Sequence, residues 1–260
     1  MLVAISAFKD YTIQASDGDV GTVSDFLFED TTWKIKWLVV DTGGWLTGRK
    51  VLVHPSSIGR ADHDRQSLPV TLTKLQVERS PEIAKDEPVS GQMEANLYNY
   101  YGWDPYWGNS YFGPSALGVP VGGLSLGSPA YFSGSAPNEQ FLSEAELKDQ
   151  DPHLRSFVAV KGYHIHATDG EIGHVENFLI DDASWDVRYL IVDTRNWWPG
   201  KHVLLSPYAV HDISWSKHEI LLDISREKVK TAPPWDPADI VNRAYETRLH
   251  GHYGWGGYGF

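Results

Sequence analysis

The chain has 260 residues, a length that fits one large or two modest domains, and its 42% hydrophobic and 13% aromatic content is that of a folded protein. A formal net charge of −12 argues against a binder of the nucleic-acid backbone, which needs a basic face, and no Lys/Arg run marks a local basic patch. Cysteine is absent, which excludes disulfides, thiolate zinc sites and Cys nucleophiles together. The opening MLVAISAFKDYTIQ lacks a basic segment followed by a long apolar one, and no apolar run approaches the ~18 residues of a membrane span. A soluble, cytoplasmic chain is expected.

Taken in order, Tyr11, Ile13 and Ala15 share one face of a strand by period-2 alternation. Asp17-Gly18 follows, a pair that supplies positive φ for a tight hairpin turn. A second strand is predicted over 21–29, turning near Asp30-Thr31-Thr32, and a third from Trp33 to Val40, dense in β-branched and aromatic residues. A Gly-containing loop at 43–48 leads into Val51-Leu52-Val53, which Pro55 ends. A last strand is predicted near 68–73.

The second half repeats the first at a constant offset of 152 residues. DGDVGTVSDFLFEDTTWKIKWLVVDT (17–42) aligns without a gap on DGEIGHVENFLIDDASWDVRYLIVDT (169–194), and 22 of the 71 positions from 11 to 81 are identical. The register continues past the strands. Val89, Met93, Leu97 and Tyr101 align with Val241, Tyr245, Leu249 and Tyr253, an every-fourth-residue apolar stripe that predicts one buried helix face in each copy. In copy two, Asp236, Pro237 and Asp239 read as the start of that helix. Each helix runs into a Tyr-Gly-Trp tail.

The predicted organisation is therefore a barrel repeat over 1–85, a helix and tail over 86–108, and a Gly/Pro/Ser-rich insert over 109–153. A second barrel over 154–235 and a second helix and tail over 236–260 complete it. Within the insert, Ser143 to Glu146 carries a capping-box pattern and predicts one short helical turn. The fold class is mainly β: two small barrels in tandem, since closure of short strands removes exposed edges.

The hairpin D-G-x-(V/I)-G-x-V-x-x-F-L at 17–27 and 169–179, Trp33 and Trp185, the Leu-Val/Ile-Val-Asp-Thr strand ends at 38–42 and 190–194, and Gly-x-x-Val-Leu-x-x-Pro at 48–55 and 200–207 resemble the PRC-barrel family. That family takes its name from the cytoplasmic domain of the photosynthetic reaction centre H subunit. The ribosome maturation factor RimM carries a related C-terminal domain. The resemblance implies an adaptor-like barrel that binds other macromolecules, with no shared catalytic residues. Neither the membrane helix of the H subunit nor an N-terminal RNA-processing domain is read here.

Candidate chemistry is sparse. His164 and His166 sit two apart on a strand and so share a face, which suits two metal ligands, but copy one carries Thr12 and Gln14 there. Exposed polar positions are the preferred reading. His250 and His252 fall on the predicted helix, where spacing two separates side chains by about 200°. Asp17, Asp41, Asp169 and Asp193 recur in both copies and read as turn and strand-end carboxylates. No nucleophile elbow or phosphate loop is present, so no catalytic residue, cofactor or resident metal is expected.

The aromatic tails are the strongest partner-binding candidates: Tyr101, Trp103, Tyr106 and Trp107 in copy one, Tyr253, Trp255 and Tyr258 in copy two. Packing on the chain's own barrels is the competing reading. The expectation is a non-enzymatic scaffold for a protein partner, its repeats packed with pseudo-twofold symmetry. A small-ligand or metal-binding barrel and a RimM-like ribosomal factor are the alternatives.

Overall fold

The structure, a computed structural model, describes residues 1–46, 48–80, 153–194, 202–214, 216–237 and 239–257. The chain divides into two compact units, Met1–Glu87 with His153–Phe260, and Pro88–Pro152, and every described residue lies in the first. The helix and tail at 86–108 and the insert at 109–153, apart from His153, lie outside the described residues.

Repeat one contains β1 (Leu2–Ala4), β2 (Thr12–Ala15), β3 (Gly18–Glu29), β4 (Lys34–Asp41), β5 (Lys50–Val53), β6 (Ser67–Pro69) and the short helix α1 (Lys74–Glu78). Repeat two contains β7 (Leu154–Ser156), α2 (Phe157–Val160), β8 (His164–Ala167), β9 (Gly170–Asp181), β10 (Val187–Asp193), β11 (His202–Leu205), β12 (Val210–Ser214), β13 (Glu219–Leu222), α3 (Arg226–Lys230) and α4 (Arg243–Tyr253). The sheet of repeat one runs β5-β4-β3-β2-β6, and that of repeat two runs β11-β10-β9-β8-β13-β12. Neighbouring strands are antiparallel except β2 with β6 and β8 with β13, which are parallel. In repeat two the ends of the path are consecutive in the chain, joined by the turn Pro207–Ala209.

The alternation read in the sequence has its physical counterpart. Ile13 and Ala15 are buried with Gln14 exposed, and Ile165 and Ala167 are buried with His164 exposed. All seven residues of β10 are buried, as suits a strand covered on both faces. The Asp-Gly turns form as expected, with Gly18 at φ +129° and Gly170 at φ +141°. Their acids do more than turn the chain. The Asp17 carboxylate accepts the Lys74 amide at 2.8 Å, and the Asp169 carboxylate accepts that of Arg226 at 2.7 Å, so each caps the first turn of α1 or α3.

The second glycine of the motif is fixed by a close approach. A Cβ on Gly173, at φ +140°, would stand 2.0 Å from the Asp193 carbonyl oxygen, and one on Gly21 would stand 2.2 Å from that of Asp41.

The two repeats exchange their first strands. β1 pairs with β9 of repeat two (Leu2↔Asp181, Val3↔Ile180, Ala4↔Leu179), and β7 pairs with β3 of repeat one (Leu154↔Glu29, Arg155↔Phe28, Ser156↔Leu27). These registers are equivalent under the 152-residue offset. At the seam the Ile35 amide donates to the Trp185 carbonyl at 2.9 Å, and the Val187 amide donates to that of Trp33 at 2.8 Å. Both tryptophans adopt left-handed φ, 57° and 59°, an uncommon state for a bulky residue. Burial holds them there: Trp33 stacks on Phe28 at 5.3 Å and Trp185 on Phe26 at 6.2 Å. Phe28, Phe157 and Phe178 complete the cluster, Phe157 lying 4.5 Å and 4.6 Å from the other two. Each such ring contributes roughly 1.5–3 kcal/mol by burial.

Strands at 2–4, 154–156 and 210–214 are not predicted by the sequence pattern. The first two are three residues long and find their partners only in the other repeat, a pairing no local pattern encodes. The sequence also predicts a copy-two helix starting at Pro237. It begins at Arg243, where the Asn242 side chain accepts the Tyr245 amide at 3.0 Å. Residues before it are held otherwise: the Asp239 amide closes a turn on the Asp236 carbonyl, and Trp235 bridges to His202. Val241 of the stripe therefore precedes the helix, whereas Tyr245, Leu249 and Tyr253 are buried on it.

Candidate functional site

A cleft of about 710 Å³ lies at the seam, lined by residues of both repeats. One wall is the β3–β4 turn, Asp30 to Lys34, with Arg155 of β7 beside it; the other is built from Asp186, Tyr208 and residues 210–213. Each repeat supplies a part because strand exchange brings β7 alongside β3.

Much of the charge around this cleft is internally paired. Asp30 accepts from Arg155 Nε at 2.5 Å and faces His153 Nδ1 at 2.8 Å. Lys34 Nζ lies 3.6 Å from Asp186, and His211 Nδ1 lies 3.3 Å from Asp223. Tyr208 is different in kind: it is a large side chain 54% exposed, placed by a turn that the buried Ser206 hydroxyl caps. Repeat one has Ser56, Gly59 and Arg60 where repeat two has Tyr208, His211 and Asp212, so this wall is not duplicated.

Beneath the seam, equivalent positions are satisfied differently. Asp25 accepts from Ser156 Oγ at 2.5 Å and from the Val158 amide at 3.2 Å. Burial pushes its carboxyl above the ordinary carboxylate range, against the pull of those hydrogen bonds. Asn177 occupies the same place in repeat two and donates to Ser6 Oγ at 2.6 Å. His54, which caps the turn after β5, is pushed down to about 4 by burial and by the nearby Lys36.

The tail residues within the described range are folded back. Tyr253 is buried and stacks on Trp255 at 4.0 Å and 13°. His250 holds this end of the chain through Nδ1, 2.8 Å from the Gly256 carbonyl, and meets the Tyr189 hydroxyl at 2.9 Å through Nε2. The same hydroxyl donates to Glu246, which docks α4 on β10. Burial pushes the Tyr245 hydroxyl up to about 12 and raises that of Tyr253. Tyr101, Trp103, Tyr106, Trp107 and Tyr258 lie outside the described residues.

His164 and His166 project from the outer face of β8 but engage separate carboxylates, His164 with Glu171 at 2.8 Å and His166 with Glu219 at 3.6 Å. A different trio converges further along the sheet. Glu176, Asp193 and His202, on β9, β10 and β11, each place one potential ligand atom within 4.8 Å of the others. Asp193 is legible in the sequence as a recurring strand-end carboxylate, whereas Glu176 and His202 are not. The available signal was the comparison of copies: Ser24 becomes Glu176 and Lys50 becomes His202, while Asp41 stays an acid.

A family model described as the PRC-barrel domain matches residues 2–76 and 160–229, one match in each repeat. An uncharacterized protein of Deinococcus radiodurans is similar, 30% identical over 159 residues that make up 59% of this chain. The match spans 57% of the length of that relative. The matches of the domain model cover more than half of the sequence, and each contains the Asp-Gly hairpin, the left-handed tryptophan and the Val-Leu-x-x-Pro strand end of its repeat. The chain belongs to the PRC-barrel domain family.

Proposed function

We propose that this protein is a non-enzymatic binding or assembly protein whose two repeats form one pseudo-twofold body, like a homodimer fused into a single chain. Each sheet is read as rolling into a small barrel, with α4 packed on the second. The partner is a protein, and the seam cleft is the surface offered to it. The observation that carries this reading is the cleft itself. It exists only where both repeats contribute, its paired charges restrain the walls, and the exposed Tyr208 supplies an aromatic anchor of the kind that dominates protein interfaces. The Tyr-Gly-Trp tails are proposed as a second contact. A cytoplasmic location goes with this reading. No helix among the described residues is long and apolar enough to cross a membrane.

Site-specific photo-crosslinking in the native host tests it. A crosslinking amino acid at position 208 is expected to trap one discrete partner, a second at 103 to trap the same partner, and one at the exposed Val158, which does not line the cleft, to trap none. Equal capture from 158 and 208, or none from 208 and 103, contradicts the proposal.

A further inference from the structure

We propose that repeat two carries a binding site for one divalent transition-metal ion of the zinc class, formed by Glu176, Asp193 and His202, a set that repeat one lacks. The proposal is independent of the partner-binding reading.

Three strands deliver the ligands. Asp193 ends β10 directly opposite His202 on β11 and His174 on β9. Between the pairs Ile191↔Asn177 and Val192↔Val175 the register of β9 shifts, leaving Glu176 as the extra residue of a bulge. Bulges re-aim a side chain, and this one brings Glu176 to the histidine on the strand beyond. One imidazole and two carboxylates form a donor set suited to zinc and its neighbours, with positions left for water or a further ligand. His174 Nε2, 3.8 Å from Asp193 Oδ2, is placed to supply or orient a fourth donor.

Two features of the cluster are unlike an ordinary surface ion pair. The Asp193 side chain is fully buried. Glu176 Oε2 lies 2.8 Å from His202 Nε2 yet, among the described residues, accepts no hydrogen bond.

Repeat one is the internal control. It keeps the bulge, with Ser24 as the extra residue between Val23 and Asp25, and it keeps the acid as Asp41. Opposite Asp41 stands Lys50, a permanent cation where repeat two has a titratable nitrogen. The trio of potential ligands is therefore complete in repeat two alone.

The test is titration of the full, untagged chain with Zn²⁺ alone, read by calorimetry and by native mass spectrometry. The expected result is one ion per chain, with a thermal midpoint raised by about 5 °C at saturation. Exchanging repeat-one residues into the site, H202K and E176S, should each weaken binding at least ten-fold. Both alter partly exposed side chains, and circular dichroism with the metal-free midpoint checks that the fold is kept. The paired change H164T/H166Q, also to repeat-one residues, should leave affinity within two-fold. No uptake, unchanged affinity in H202K and E176S, or loss in H164T/H166Q instead would overturn the site.

Discussion

Asp25 and His54 occupy positions where the two repeats chose different side chains, which makes each repeat the control for the other. Asp25 is held with its carboxyl above its ordinary range chiefly by burial. A carboxyl raised in the folded state favours folding while protonated, and that contribution fades as pH climbs from the ordinary carboxylate value through the raised one. D25N, which installs repeat two's Asn177, should therefore raise the melting midpoint at pH 7, with the gain shrinking toward pH 4. A gain independent of pH would contradict this account. His54 behaves oppositely. Its folded value of about 4 lies below the ordinary histidine value of 6.5, so its stabilisation is complete above 6.5 and is lost as pH falls from 6.5 through 4. H54S, copying the Ser206 cap, should flatten stability over that window by roughly 1–2 kcal/mol, discounted for solvent screening. Denaturant midpoints at closely spaced pH values measure it.

At the scale of elements, the second motif glycine shows how a sequence pattern becomes a geometric requirement. In G173A the new methyl meets the Asp193 carbonyl on a backbone that L side chains rarely adopt. The expected cost is about 2 kcal/mol or more, read by chemical denaturation. Much of this layer was legible in advance. The Asp-Gly turns, β3, β4 and β5, and the Tyr245, Leu249 and Tyr253 stripe follow from local chemistry and period. What escaped depended on distant residues: the parallel pairing of β2 with β6, the three-residue strands β1 and β7, and a helix start decided by Asn242 rather than by Pro237. The site divides the same way. Asp193 was visible by its recurrence, but its meeting with Glu176 and His202 needs a bulge and two register choices that alternation alone does not set.

For the whole molecule, duplication and exchange are one arrangement. Each repeat completes its long hairpin strand with the other's first strand, and the aromatic cluster around Trp33, Trp185, Phe28, Phe157 and Phe178 belongs to both. The seam cluster draws buried rings from both repeats, so the two should unfold together. W185A removes a buried ring at the seam and should cost about 3–5 kcal/mol. Calorimetric unfolding of the full chain and of W185A tests this most directly. The account predicts that both repeats melt in one transition, with calorimetric and van't Hoff enthalpies agreeing, and that W185A lowers it as a whole. Separate transitions for the two repeats, with W185A moving only the second, would contradict it.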